Sequence, residues 1–295
     1  MADTLSVALP APKSVSPTWL RFKDAFRRHP TAIAGGVVLL LMVGVALFAP
    51  WLGTTDPLAL SPIRRLKPPS AQYWFGTDMI GRDVYSRVLY GTRVSLSVGL
   101  AVALLASVIG LGVGLVTGYL RWLDAVMMRV MDGLMSIPSV LLAIALISLT
   151  KASLQNVIVA IAITEVPRVV RLVRALVLTL REQPYGEAAV ASGTRLPAIL
   201  LRHILPNTVA PLLVQATYIC ASAMITEAIL SFIGAGTPPN IPSWGNIMAE
   251  ARSLIQVAGT ILLFPGLFLS ITVLSVNLLG DGMRDALDPR LARRM

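Results

Sequence analysis

The sequence predicts an all-α integral membrane protein with six transmembrane helices and both termini in the cytoplasm. Hydrophobic residues make up 55% of the 295 residues and charged residues only 14%, whereas charged residues are about a quarter of an ordinary soluble domain. The mean hydropathy of +0.74 agrees with this class. Several apolar runs also approach about 20 residues, the length that a helix needs to cross the hydrocarbon core.

The net charge of +10 lies beside the apolar runs, which favours membrane lipid over nucleic acid as the partner of these charges. With the N-terminus inside, the predicted cytoplasmic segments hold seventeen of the Lys and Arg residues and the outer segments eight. This bias predicts that both termini are cytoplasmic, although six of the outer charges lie in one loop between Arg64 and Arg93. The single cysteine, Cys220, is expected to be a small core residue.

Taken in order, residues 1–31 are a predicted cytoplasmic tail that includes the amphipathic segment Trp19–Pro30. Residues 32–92 form the first transmembrane helix and an extracytoplasmic loop. A core of five helices, residues 93–282, and a cytoplasmic tail, residues 283–295, complete the chain. The predicted spans are Ala32–Leu52, Val94–Leu120, Ala125–Leu149, Leu154–Leu176, Thr208–Ile233 and Val257–Leu279.

The outer loop carries two acid/base pairs with helical i,i+4 spacing. The pairs are Asp78/Arg82 and Asp83/Arg87. They predict a short helix on the outer surface within residues 74–100, capped by Thr77 or Asp78. A structural brace is the favoured interpretation and a ligand site the alternative. A second surface helix is predicted over residues 245–257, after a Gly/Pro-rich turn.

Small residues form a ridge on the second span, where Gly110, Gly114 and Gly118 recur every four residues. Such a ridge lets transmembrane helices pack closely. It indicates a packing seam, either within this subunit or against a partner. The alternative is that glycine is simply common in membrane helices.

Three acidic residues lie within predicted spans, where a buried charge is costly and suggests a function. Asp132, Glu165 and Glu227 are therefore candidate pathway or buried polar residues. For Glu227 we expect either a cavity or an arginine partner. Prolines at positions 138, 167, 211 and 265 are expected to kink four spans.

Three arginines recur at three-residue spacing along the inner end of the fourth span. They are Arg168, Arg171 and Arg174. Snorkelling to lipid headgroups is the simplest interpretation. The alternative is that they help to set the following cytoplasmic loop against a partner.

That loop, residues 181–207, is a polar, helix-forming segment between two long apolar runs. Its sequence, REQPYGEAAVASGTRLPAILLRHILPN, has small residues on one side, which predicts that another protein contacts the backbone closely. The residues that define the pattern are Glu187, Ala188, Ala189, Gly193, Leu205 and Pro206.

Motifs for chemistry are absent from the sequence. It contains no G-x-x-x-x-G-K-[ST] phosphate loop, no H-E-x-x-H and no G-x-S-x-G. With two histidines and one cysteine, no metal site is expected. The chain is therefore predicted to be non-catalytic.

The pattern EAA-x3-G followed by LP resembles the cytoplasmic coupling loop of bacterial ABC importer permeases. The general motif has an apolar residue where this chain has His203. HILPN is usual in one subfamily, the C-type permease subunit of dipeptide, oligopeptide and nickel importers. The same subfamily resembles this chain at residues 76–83 (GTDMIGRD), 227–232 (EAILSF), 242–245 (PSWG) and 277–289 (NLLGDGMRDALDP).

The resemblance implies the transmembrane domain of a type I ABC importer in the inner membrane of a bacterium. Such a subunit forms half of the pathway for small peptides and pairs with a second, homologous permease. Two ATP-binding subunits would bind ATP and Mg²⁺, so that this chain holds no cofactor, and an extracytoplasmic binding protein would deliver substrate. Residues 187–193 would form a helix seated in a groove of one ATPase. Nickel, glutathione or another small solute is the alternative substrate.

Two other classes are possible in principle. An ion-driven carrier or a channel would transport alone and often contains an inverted repeat, which is not evident here. An intramembrane enzyme would need a catalytic constellation that the sequence lacks.

Overall fold

The computed structural model describes residues 30–287, which are helical apart from loops and one isolated bridge between Thr77 and Asp83. The α-helices of this range are α1 (Pro30–Phe48), α2 (Val84–Tyr119), α3 (Arg121–Ser136), α4 (Ser139–Ser148), α5 (Leu154–Arg181), α6 (Pro184–Ala191), α7 (Leu196–Ile199), α8 (Leu205–Ile233), α9 (Trp244–Ala251) and α10 (Thr260–Leu287). A π-helical turn, Leu200–Ile204, joins α7 to α8. The predicted amphipathic segment, except its last residue, and the end of the C-terminal tail lie outside the described residues.

Within residues 30–287, four helical stretches are long and apolar enough to cross a membrane. They are Pro30–Trp51, Val84–Tyr119, Leu196–Ile233 and Thr260–Ala286. The pair α3 and α4 makes a fifth if the bent pair is counted as one span. The long helix α5 does not meet the same criterion, because one acidic residue and three arginines interrupt its apolar sequence.

The predicted third span, residues 125–149, is broken at Pro138, where a kink was expected. α3 ends at Ser136, α4 begins at Ser139, and the two helices are bent by 92°. Pro138 explains the break, because a proline disfavours the helical conformation in the residue before it. Ile137 is accordingly extended, with φ −95° and ψ 131°. The other three predicted kink sites lie inside helices that continue through them.

The glycine ridge of α2 lies directly against α5. A Cβ atom added to Gly110, Gly114 or Gly118 would come within 2.5, 2.7 and 2.6 Å of the Cβ atoms of Val169, Val173 and Val177. The numbering rises together on both helices, so α2 and α5 run parallel. Because only glycine leaves room for these valines, the ridge sets how closely the two helices approach.

The predicted surface helix within residues 74–100 is wrong as a separate element. α2 begins at Val84 and continues without a break into the span. Asp83, rather than either predicted residue, is the N-cap, and its carboxylate accepts the backbone N–H of Ser86 at 2.9 Å. Because capping uses this carboxylate, Asp83 does not form the expected i,i+4 pair with Arg87, which binds two other carboxylates.

The outer charges form a buried network instead. Asp78 accepts from Arg82 Nε at 2.6 Å and from Arg87 Nη1 at 2.8 Å, and both arginines also bind Glu250 on α9. Asp78 and Arg87 are 2% and 1% exposed, so each buried charge depends on the others for compensation. The network therefore braces α9 against the start of α2. Sequence spacing suggested the brace but could not reveal Glu250.

The second predicted surface helix is buried. α9 covers the first part of residues 245–257, and Trp244 and Ile247 are both 0% exposed. Trp244 Nε1 donates to the carbonyl of Val88 at 3.1 Å. α9 is therefore packed into the bundle, against α2, α8 and α10.

Candidate functional site

The helix of the predicted coupling loop, α6, has both ends defined by local sequence. Pro184 occupies its first turn, where a missing N–H leaves no unpaired group. At the other end Gly193 has a φ of +73°. Thr194 N–H donates to the carbonyl of Ala189 at 3.1 Å, and Gly193 N–H to that of Val190 at 3.0 Å. This Schellman motif needs a left-handed residue. The backbone conformation thus requires glycine at position 193. The sequence interpretation had considered only the small size of this residue.

The residues of the predicted motif divide between two faces. Glu187 and Ala188 are exposed. Ala189 is only 6% exposed and packs into the main core. The expectation that Ala189 lets another protein approach the backbone is wrong, because its side chain holds α6 to the bundle. Leu205 is half-buried against the same core, and Pro206 is exposed in the first turn of α8.

A cleft of about 380 Å³ opens between α6 and the helix ends next to it. Its lining residues are Tyr119, Arg121, Leu180, Arg181, Glu182, Tyr185, Gly186, Glu187, Val190, Ile199, His203 and Ile204. The cleft brings Glu187 and His203 to one surface. These two residues come from opposite parts of the predicted loop, and the position of the cleft was not evident from the sequence.

Each of the three arginines pairs with a carboxylate of this chain, which neither sequence interpretation included. The pairs are Arg168 with Glu165, Arg171 with Asp132 and Arg174 with Asp124. Sequence reasoning missed Asp124, since its partner lies on another helix. The last two pairs join α3 to α5.

The candidate pathway acids lie in different environments. Asp132 is exposed and bound to Arg171. Glu165 is 4% exposed and accepts from Arg168 at 2.9 Å and from Ser222 on α8 at 3.1 Å. These two acids therefore belong to the contact region of α3, α5 and α8.

Glu227 is fully buried near the end of α8. One of its oxygens accepts from Ser231 at 2.8 Å and from Thr237 at 3.3 Å. Asn246 of α9 donates to the same Thr237 hydroxyl at 2.9 Å. The other carboxylate oxygen of Glu227, Oε2, has no hydrogen-bond partner among residues 30–287. The expected arginine partner is absent from this range, and Glu227 instead anchors the Gly/Pro turn between α8 and α9.

No group of three or more His, Cys, Asp or Glu residues within the described range is placed to hold a metal ion. The geometry is that of a helical membrane bundle with an exposed short helix at one end. It therefore offers a surface for a partner.

Comparison with known families agrees with this geometry. The family described as binding-protein-dependent transport system inner membrane component matches residues 106–293. The N-terminal TM domain of oligopeptide transport permease C matches residues 18–69.

Several relatives match almost the entire chain. The probable peptide ABC transporter permease protein y4tQ of Sinorhizobium fredii is 54% identical over 294 residues, 100% of both chains. The dipeptide transport system permease protein DppC of Alkalihalophilus pseudofirmus is 42% identical over 94% of this chain and 91% of its own. The glutathione transport system permease protein GsiD of Pectobacterium atrosepticum is 41% identical over 95% and 93%.

The fold is thus that of a permease subunit of an ABC importer. The chain belongs to the family of binding-protein-dependent transport system inner membrane components, in its C-type peptide permease branch. It is a non-catalytic component of the inner membrane, and ATP hydrolysis belongs to a separate subunit. A substrate-binding protein and an ATPase are its partners by family.

Glu227→Gln is expected to keep uptake by the assembled importer within about twofold of wild type, because the amide keeps the oxygen that accepts from Ser231 and Thr237. Glu227→Ala should lower uptake and stability, since it leaves both hydroxyl groups buried without this acceptor. Uptake into proteoliposomes and thermal unfolding measure the two effects. Loss of uptake in Glu227→Gln at normal stability would indicate that Glu227 carries a proton instead.

Proposed function

We propose that this subunit imports small peptides, forming half of the pathway together with a second, homologous permease. The 54% identity to a probable peptide permease over the whole chain carries this proposal. The DppC relative also favours peptides. A relative named for glutathione transport makes glutathione, itself a small peptide, the nearest alternative. Nickel is the remaining one.

The proposed membrane topology has six spans with both termini in the cytoplasm. In this topology α5 is one of the six spans, although its charged residues keep it from meeting the composition criterion for a transmembrane helix. It contains 28 residues, about 42 Å of helix, and packs along the apolar helix α2. The bent pair α3 and α4 supplies another. The distribution of Lys and Arg supports this orientation, in which α6 lies on the cytoplasmic side.

Two ATP-binding subunits, which hold ATP and Mg²⁺, complete the proposed complex with an extracytoplasmic binding protein. α6 is proposed to dock in a groove of one ATPase. Its exposed Glu187 and Ala188 support this role, as does its firm attachment through Ala189. A helix that is attached to the bundle transmits displacement of the ATPase to the spans, whereas a free loop would absorb it.

The substrate is tested with the complete complex in proteoliposomes. We expect ATP-dependent uptake of a labelled dipeptide or tripeptide, and competition by unlabelled peptides but not by Ni²⁺. A complex with an inactivated ATPase provides the control. Uptake of Ni²⁺ alone would contradict the peptide proposal. Uptake by this chain without the ATPase subunits would instead indicate a carrier or channel.

A further inference from the structure

In the proposed six-span topology, Arg168 lies near the middle of the membrane. Between Arg93 and Arg121 the chain has no charged residue, a distance of about 42 Å along a helix. Gly110 contacts Val169, the residue after Arg168, and is about 16 Å from Arg121 along the helix. This depth is about half of the 30 Å hydrocarbon core.

At this depth Arg168 is not compatible with a lipid environment. Its side chain is 54% exposed, and that of Arg171, one turn further along, is 45% exposed. An arginine in hydrocarbon is costly, so such residues face water or another protein. The opposite face of α5 is occupied by its valine contacts with α2. The charged face of α5 therefore points away from lipid.

The guanidinium group of Arg168 is held from one side only. Nη1 donates to Glu165 at 2.9 Å, and Ser222 fixes the same carboxylate at 3.1 Å. Within the described part of the chain, Nε and Nη2 of Arg168 have no acceptor. A guanidinium group carries five donors in a planar fork that matches a carboxylate. The buried Glu165 thus holds one part of the fork, and the remaining donors belong to a side chain that is 54% exposed.

We propose that Arg168 forms a mid-membrane station for the terminal carboxylate of a peptide in transit. This inference rests on the proposed peptide import. A free carboxylate loses part of its hydration in a passage that crosses the bilayer, even where water enters, and Arg168 supplies charged donors at the midpoint. Asp132 and Arg171 on the same side keep the region close to neutral, which suits a zwitterion.

The test compares a labelled tripeptide with its C-terminal amide, using one binding protein throughout. The ratio of the two uptake rates cancels any preference of the binding protein when variants are compared. In Arg168→Gln the acid-to-amide ratio is expected to fall about tenfold or more. Arg168→Lys, which keeps the charge but loses the fork, should give a smaller fall. Arg174→Gln, closer to the membrane end, should leave the ratio unchanged.

An unchanged ratio in Arg168→Gln, at any overall rate, would overturn the proposal, because it would indicate a structural role. If the wild-type complex transports no peptide at all, the proposed function fails first, which is a separate result.

A second measurement does not depend on transport. Arg168→Cys should react with a charged, membrane-impermeant thiol reagent in the assembled complex, because the station is open to water. The only natural cysteine, Cys220, is buried. Val108→Cys provides a control of similar depth, since Val108 is 60% exposed on apolar α2, and it should not react. No reaction at position 168, with or without ATP, would place Arg168 in a protein interface and overturn the proposal.

Discussion

Glu187→Lys in the assembled importer is expected to lower peptide uptake by more than about tenfold, because reversing a charge within a docked interface costs several kcal/mol. Glu187 is exposed in the first turn of α6, where a negative charge also suits the helix dipole. Basal ATP hydrolysis should persist, since the ATPase subunits hold the nucleotide. Its stimulation by the loaded binding protein should be lost. Uptake and ATPase activity are measured on the same proteoliposomes.

Glu182→Lys is the matched control. Glu182 is an exposed acid on the same cleft but precedes α6. We expect it to retain most of the uptake, and Glu187→Gln to give an intermediate loss. Equal losses in both lysine variants would mean that the charge of the whole surface matters rather than α6. Normal uptake in Glu187→Lys would contradict the proposed role of α6. A Gly193→Trp variant would be less informative, because the positive φ of Gly193 strains any bulky residue there.

Gly114→Leu is expected to prevent stable assembly of the bundle. Even a Cβ atom at this position would lie 2.7 Å from Val173 Cβ and 3.0 Å from the carbonyl oxygen of Val170. Because backbone atoms cannot move aside as a flexible side chain can, α2 and α5 must separate. Overpacking costs about 1–3 kcal/mol in a well-packed core, and separation of the seam adds the loss of its contacts. The amount of folded protein in detergent and its thermal stability measure the effect.

Gly112→Leu tests the same substitution on a different face of α2. An added Cβ at Gly112 meets nothing within 4 Å, and a leucine has the higher helix propensity. This variant should accumulate at the wild-type level and be at least as stable. Similar losses in both variants would show that the ridge does not depend on close contact with α5.

Much of the architecture follows from local sequence. The apolar runs predicted α1, α8 and α10 within a few residues at most ends, because a stretch of about 20 uncharged residues has few alternatives to a membrane helix. The ridge on α2 was also visible from its four-residue spacing. The spacing alone could not identify α5 as the partner, since Val169, Val173 and Val177 resemble any valine stripe.

Predictions failed where a residue had two possible partners. Asp83 could pair with Arg87 or cap a helix, and capping prevailed because Ser86 N–H is adjacent in the chain. Arg87 instead forms ion pairs with Asp78 and with Glu250, which is 163 residues away in the chain. Similarly, Ala188 and Ala189 are alike in sequence, but a helix presents neighbouring side chains in different directions, so only Ala188 is exposed.

Hydrophobicity and short motifs lie in consecutive residues, so the amino-acid sequence alone could predict an all-helical membrane protein that carries the EAA-x3-G pattern. The tertiary structure was needed for four features: the 92° size of the bend at Pro138, the left-handed backbone at Gly193, the burial of α9 and the distant partners of Arg87 and Arg174. These depend on which helices meet, and burial makes an unpaired charge costly enough to select partners far apart in the chain.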